Sequence, residues 1–307
     1  MKLDLKYNLS LGALKLIALL PLPILYIISD VIFFIIYHIL HYRRKVVRTN
    51  LNLAFKESRP NDIPMIERKF YRHLCDIIVE SIKLLHISDK EMRKRFVVTN
   101  PELVNEISNS GASQAVLLGH YCNWEWVQAM SLYLQDCKSV VGQVYKPLHS
   151  DVMNRVILKI RSRFHLENIP QQRAARQLMN IERSGNTFII GLISDQRPEG
   201  SNFQHWTTLL GIDTPYTTGG EKVGKRANAE FLYASIKKTK RGHYSLTYEK
   251  LTPPTEENQA EGYYTKQFLS KLEEDINEAP QYWLWSHKIW KRGIDGKQTY
   301  YYHQKRS

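Results

Sequence analysis

The sequence predicts an α/β protein with a largely parallel sheet, preceded by a hydrophobic, membrane-associated helical segment at the amino terminus. Three observations predict it. Five apolar or alternating runs read as strands: QAVLLG (114–119), SVVGQV (139–144), NTFIIGLI (186–193), AEFLYASI (229–236) and HYSLTYE (243–249). Helical patterns lie between them, and strand alternating with helix is the signature of parallel strands joined by crossovers. From Leu16 the chain runs LIALLPLPILYIISDVIFFIIYHILHY, long enough to reach across a ~30 Å hydrocarbon core.

The amino-terminal run is not a simple span. Pro21 and Pro23 interrupt it, and Asp30 places a charge where insertion costs ~2.5–3.5 kcal/mol. Two readings remain: a kinked helix that dips into the bilayer, or a helical hairpin at its surface. No small-x-small site follows, so a cleaved leader is not expected. Arg43, Arg44, Lys45 and Arg48 follow the run, whereas Lys2, Lys6 and Lys15 with Asp4 precede it. The denser basic cluster keeps the main domain in the cytoplasm and suits anionic headgroups. The division expected is residues 1–45 as anchor or interfacial helices and 46–307 as one soluble domain.

Within that domain, residues 46–87 read as helices. In RKFYRHLCDIIVESIKLLHI, Phe70, Leu74, Ile77, Ile78 and Ile82 recur at three- and four-residue spacings. Further helices are expected over 123–134, 152–164, 172–183 and 263–278, the last with Phe268, Leu272 and Ile276 as its stripe and Pro280 as its stop. No internal repeat or low-complexity linker divides the chain.

Composition narrows the function classes. The 307 residues are 43% hydrophobic and 24% charged, with 15 Gly and 12 Pro, which excludes disordered-tail and collagen-like chains. Lys and Arg number 43 against 30 Asp and Glu, a net charge of +13. Such an excess asks for an anionic partner, whether nucleic acid, anionic membrane or acidic ligand. Cys75, Cys122 and Cys137 form no CxxC pair, which fits a reducing compartment and leaves no structural zinc site.

The most informative segment is AVLLGHYCNWEW (115–126). A strand ends at Gly119, His120 follows, and Asn123 can cap a helix whose first turn carries Glu125. In parallel sheets the crevice beyond the strand carboxyl ends binds ligands. Glu125 can accept the Nδ1 proton of His120 and leave Nε2 as a base. A hydrogen-bonded packing pair is the other reading of the same two residues.

That segment, following an apolar basic amino terminus, resembles the lipid A biosynthesis (late) acyltransferases, whose hallmark is His, four residues, then Asp or Glu. VYKPLHSDVMNRVILKIRSRF (144–164), ISDQRP (193–198) and QYWLWSHKIWKR (281–292) are similar to further family segments in the same order. The chain departs from the family at Cys122, where Gly is usual, at LHS (148–150), and at Ile289, which takes a basic place.

The resemblance implies a glycerolipid-acyltransferase-like fold and transfer of a fatty acyl chain from an acyl thioester, with acyl carrier protein as donor, to a hydroxyl of a glycolipid, a lipid A precursor. It implies His120 as general base with Glu125 orienting it, no cofactor, and a place on the cytoplasmic face of a bacterial inner membrane. A thiolate leaves readily, so no acyl-enzyme is needed, and no G-x-S-x-G elbow is present. Cys122 is expected to be a packing residue, not a nucleophile.

Asn123, Arg161, Arg163, Asp195 and Gln196 are the candidate substrate-binding residues. Arg155 and Arg163 fall about 80° apart on one helix and can share a face, with Arg161 pointing elsewhere. Asp195 and Gln196 follow a strand end. Lys288, Trp290 and Arg292 are expected on headgroups or on the core.

GGEKVGKR (219–226) imitates a phosphate loop but has Arg226 where a magnesium-binding hydroxyl must stand, and no strand precedes it. A lysophospholipid or aminolipid acyltransferase would use the same dyad. A membrane-tethered anionic-ligand or nucleic-acid-binding protein rests on charge alone, without a nucleic-acid module.

Overall fold

The computed structural model describes residues 2–135, 139–198, 203–255 and 260–291. The apolar amino terminus forms two helices, α1 (Lys2–Leu19) and α2 (Leu22–Phe34), the second continued by a π-helical turn, Ile35–Ile39. The break falls at Pro21, with Pro23 in the first turn of α2, where its missing N–H deprives no hydrogen bond. Two positive-φ residues, His41 and Arg43, turn the chain into α3 (Arg44–Phe55), followed by α4 (Ile63–Lys83) and α5 (Asp89–Arg95).

These helices belong to the body of the protein. α1 packs on α4, and α2 lies along α4 with Leu22 and Leu25 against Val79. Phe33 and Tyr37 join the same core as the sheet. The polar residues of α2 tie it to the rest of the protein: buried Ser29 donates to Asp76 at 2.8 Å, Tyr26 donates to Glu80 at 2.8 Å, and Asp30, at the surface, pairs with Arg241 at 2.8 Å. Asp30 is thus a tie between α2 and Arg241.

The rest is a three-layer α/β fold. In chain order come β1 (Phe96–Val98), α6 (Pro101–Asn109), β2 (Gln114–Leu118), a 3-10 segment (Trp124–Tyr133), β3 (Val140–Tyr145), α7 (Asp151–Arg161), β4 (Glu167–Pro170), α8 (Ala174–Arg183) and β5 (Phe188–Ile193). Then follow β6 (Trp206–Leu209), β7 (Ile212–Pro215), α9 (Gly219–Arg226), β8 (Glu230–Lys240), β9 (His243–Lys250) and α10 (Tyr263–Glu278).

The seven-stranded sheet has the order β1-β9-β8-β2-β5-β3-β4, parallel except for the β8–β9 hairpin, and β6–β7 form a separate antiparallel pair. The path from β3 to β4 runs outward and that from β4 to β5 inward. Right-handed crossovers therefore put α7 and α8 on opposite faces. α1 packs on α7 as well, fixed by Arg155, which pairs with Asp4 at 2.9 Å and lies over the Tyr7 ring. The amino-terminal helices accordingly cover the α7 face, and α8 with α9 covers the other.

Each of the five expected strands is present. The helix expected over 123–134 is wound as a 3-10 segment. GGEKVGKR is helix α9, with Gly224 so close to β8 that a Cβ would collide with the Phe231 ring. Cys137 and Arg292 lie outside the described residues.

Candidate active site

Sheet register builds the site. β2 and β5 are adjacent and parallel, with Leu118 opposite Ile193, and the N–H of Ser194 donates to Leu118 O at 3.0 Å. The residues two beyond each register partner, His120 and Asp195, therefore meet at the carboxyl edge of the sheet. Between Leu118 and His120, Gly119 leaves room: a Cβ there would sit 3.3 Å from Asp195 Oδ2 and 2.9 Å from Leu272.

Asp195 holds His120 twice. Its Oδ1 accepts from His120 Nδ1 at 2.7 Å, and its Oδ2 accepts from the His120 backbone N–H at 2.8 Å. The Trp283 indole N–H donates to the same Oδ2 at 2.9 Å. Burial alone would push this carboxyl up. The His120 charge and these hydrogen bonds outweigh burial and hold it below the usual carboxylate range.

With Nδ1 carrying the proton toward Asp195, the Nε2 lone pair faces the cavity, where the Gln196 amide lies 3.2 Å away. The ring packs edge-on against Trp124. The cavity is lined by His120, Asp195, Gln196, Trp283, Leu284 and His287.

Glu125, expected to hold the His120 ring, is bonded elsewhere in this structure. Its carboxylate makes a bidentate pair with Arg161, at 2.6 Å to Nη2 and 3.0 Å to Nε. The tight 3-10 winding after Asn123 turns Glu125 toward the end of α7, so the partner that sequence proximity suggests is replaced by one fixed through the sheet.

Asn123 is fully buried: its oxygen accepts from the Trp126 N–H at 3.2 Å, and its amide donates to Glu80 at 2.6 Å. It shapes the turn from behind and offers no face to a ligand. Glu80, entirely enclosed, also accepts from Tyr26 and Tyr244, both at 2.8 Å.

The arginines do not converge. Arg163 lies beyond the end of α7, bonded to Ile87 O at 2.8 Å and Asp89 at 2.7 Å. Arg155 points to α1, and Arg161, expected to face elsewhere, is the one beside Glu125. In the basic cluster after the apolar run, Arg44 and Arg48 both close on the buried Glu67, at 2.6 and 2.9 Å, and this part of the cluster is a structural tie.

Cys122 occupies a left-handed position at φ 50°, a conformation that favours glycine, and is fully buried. Burial pushes its thiol far up from its ordinary value, which disfavours the thiolate.

The carboxyl-terminal segment is strapped along the site. Leu284 N–H donates to His120 O at 3.1 Å, and Cys122 N–H donates to Tyr282 O at 3.0 Å. Asn50, buried in α3, donates to Trp285 O at 2.7 Å and His287 O at 2.8 Å. Trp290 is buried in the core, bonded to Thr214, while Lys288 is exposed. Sequence reading left Asn50, Trp283 and His287 out of the site. The signal for the last two was their place in the closing Trp- and His-bearing run.

A family model described as bacterial lipid A biosynthesis acyltransferase matches residues 3–292. The chain is similar to the lipid A biosynthesis palmitoleoyltransferase of Escherichia coli (strain K12), 24% identical over 298 residues, covering 95% of this chain and 93% of that protein. It is equally similar to the lipid A biosynthesis acyltransferase of Shigella flexneri, 24% identical with the same coverage.

Proposed function

The chain belongs to the bacterial lipid A biosynthesis acyltransferases, and from that premise we propose that it moves a fatty acyl chain from an acyl thioester to a hydroxyl of a lipid A precursor, with His120 as general base held by Asp195. The observation that carries the proposal is the Asp195–His120 pair at 2.7 Å, with Nε2 open to the cavity at the carboxyl edge of the sheet.

The chemistry follows from that arrangement. An alcohol is a weak nucleophile at neutral pH, so its proton must leave as the oxygen attacks. Nε2 takes that proton, and Asp195 stabilises the resulting imidazolium. General base catalysis of this kind contributes ~10²–10⁴-fold in rate. Collapse of the tetrahedral adduct releases the thiolate, which recovers the proton from His120. Gln196 stands beside Nε2 where the acceptor hydroxyl must arrive. Glu125 and Arg161 form a fixed charged pair next to the catalytic turn, with Arg161 suited to hold a phosphate or carbonyl oxygen. Acyl carrier protein is the proposed donor.

The membrane part of the reading rests on the outer surface of α1 and α2. Leu5, Leu9, Leu16, Ile27, Val31 and Phe34 are exposed, a stripe that has no place in water. The Leu22–Ile39 segment has the length and composition to cross a bilayer. Its ties to the protein body through Tyr26, Ser29 and Asp30 favour a helix lying in the interface with one face immersed. The face proposed is the cytoplasmic one of the inner membrane.

Purified chain, given acyl carrier protein thioester and a lipid A precursor, is expected to form the acylated product, and the His120→Ala variant is expected to form almost none. A His120→Ala variant with wild-type turnover would end the proposal.

A further inference from the structure

The cavity contains a second imidazole. His287 lines it together with His120, Asp195 and Gln196. Its main chain is fixed on both sides: its N–H donates to Leu284 O at 3.2 Å, and its carbonyl accepts from Asn50 at 2.8 Å. The imidazole itself has no hydrogen-bond partner among the described residues, although it is half-buried. Burial pushes its pKa down to about 4; Asp195 opposes this, and the positive charges of His120, Arg197 and Arg43 add to it. A neutral imidazole offers one N–H donor and one acceptor.

Acyl transfer needs a donor aimed at the oxygen that becomes negative. Four main-chain amides around the cavity are committed: His120 N–H to Asp195, Trp283 N–H to Pro280 O, Leu284 N–H to His120 O, and that of His287 to Leu284 O. The Trp283 indole N–H is also on Asp195, and the Gln196 amide faces His120 Nε2. Asn50, the other amide side chain of the lining, donates to Trp285 O and His287 O. Among the described side-chain donors of the cavity, that leaves the His287 imidazole.

We infer that His287 is the electrophilic group of the transfer, its imidazole N–H donating to the thioester carbonyl oxygen as that oxygen becomes an oxyanion. This rests on the reading of the cavity as an acyl-transfer site. The acceptor O–H proton passes to His120 Nε2, and the oxygen pair forms the new C–O bond. The carbonyl π pair moves onto the oxygen, where the His287 N–H holds it. When the pair returns, the C–S bond breaks, and the thiolate leaves and takes the proton back from His120. A neutral donor suits this place, because His120 becomes cationic in the same step and a second cation beside it would be repelled.

The test is steady-state kinetics of the full chain in detergent micelles, with lauroyl-loaded acyl carrier protein and a lipid A precursor as substrates. His287→Phe is expected to lower kcat about 10²–10³-fold, the usual effect of removing one oxyanion donor, with KM changed by no more than a few-fold. His287→Gln, which restores an N–H at similar reach, is expected to recover about tenfold of that loss. The acid limb of the kcat–pH profile, which reports His120, is expected to stay in place in both variants. If His287→Phe fails to fold, His287→Asn, whose donor is too short to reach, is expected to show the same loss as the phenylalanine variant. Wild-type kcat in the folded variant, or a rise in KM alone, would overturn the assignment. The two levels separate cleanly. A wild-type chain that transfers no acyl group removes the underlying reading, whereas an active wild type, an inactive His120→Ala and a fully active His287→Phe remove His287 alone.

Discussion

Asp195 grips His120 by both ring and main chain, accepting from Nδ1 at 2.7 Å and from the backbone N–H at 2.8 Å. A carboxylate that fixes tautomer and ring position while stabilising the imidazolium is what a histidine base requires. Asp195→Asn keeps the shape, removes the charge and turns an amide toward donors. It is expected to lower kcat by about 10²–10⁴-fold. It is also expected to cost about 1–3 kcal/mol of stability through the mispaired amide. Steady-state kinetics and thermal unfolding on the same sample measure both.

Glu125 and Arg161 act as one unit in this structure. Breaking either side leaves the other charge half-buried and unpaired, so Glu125→Gln and Arg161→Gln are each expected to reduce transfer. The double variant is expected to be no worse than the poorer single one, a coupling of about 0.5–3 kcal/mol in a double-mutant cycle. Simple additivity, together with a displaced acid limb in Glu125→Gln alone, would instead place Glu125 on His120.

Glu80 makes a pH prediction with a definite sign. Burial, the largest cause, raises its pKa to about 7, against the opposing Lys238 charge and the hydrogen bonds from Tyr244 and Tyr26. A group raised in the folded state contributes stability that is complete below its unfolded value near 4.5 and is lost as pH rises through about 7. His73 and His287, both held neutral by burial, work in the opposite direction over an overlapping range. The difference between wild type and Glu80→Gln isolates the carboxyl. Glu80→Gln is expected to gain on wild type from pH 5 to pH 8 by up to about 3 kcal/mol. Denaturant unfolding at several pH values checks it, and a pH-independent difference would show that Glu80 has its ordinary pKa.

Cys122 combines a buried thiol with a left-handed backbone. Cys122→Gly relieves the backbone strain, of order 1 kcal/mol, and removes the sulfur. Turnover is expected to stay within about twofold of wild type. A loss of 10²-fold or more, without loss of fold, would make the thiol a participant in the chemistry.

How much of this was legible depended on range. The long strands declared themselves because parallel strands buried on both faces are continuous apolar runs: β2, QAVLL, is buried at every position. β1 and β4, three and four residues long, carry no such pattern. The 3-10 winding of Trp124–Tyr133 has the composition of an α-helix and differs only in its packing. His120 was visible at its strand end, but its partner was not. Glu125 is five residues away in sequence, whereas Asp195 is brought in across 75 residues by the register of β2 on β5. Asp30, a misfit in an apolar run, made sense only once Arg241 lay against it. His287 depended on the strap that Asn50 ties down.

The central claim, that His120 held by Asp195 drives acyl transfer to a lipid A hydroxyl, is tested most directly by the mass profile of lipid A from cells lacking the chain and supplied with wild-type, His120→Ala or Asp195→Asn copies. The account predicts that one acyl chain is missing without the protein, is restored by the wild-type copy, and stays largely missing with either variant. Full restoration by both variants, or lipid A unchanged by loss of the chain, would contradict it.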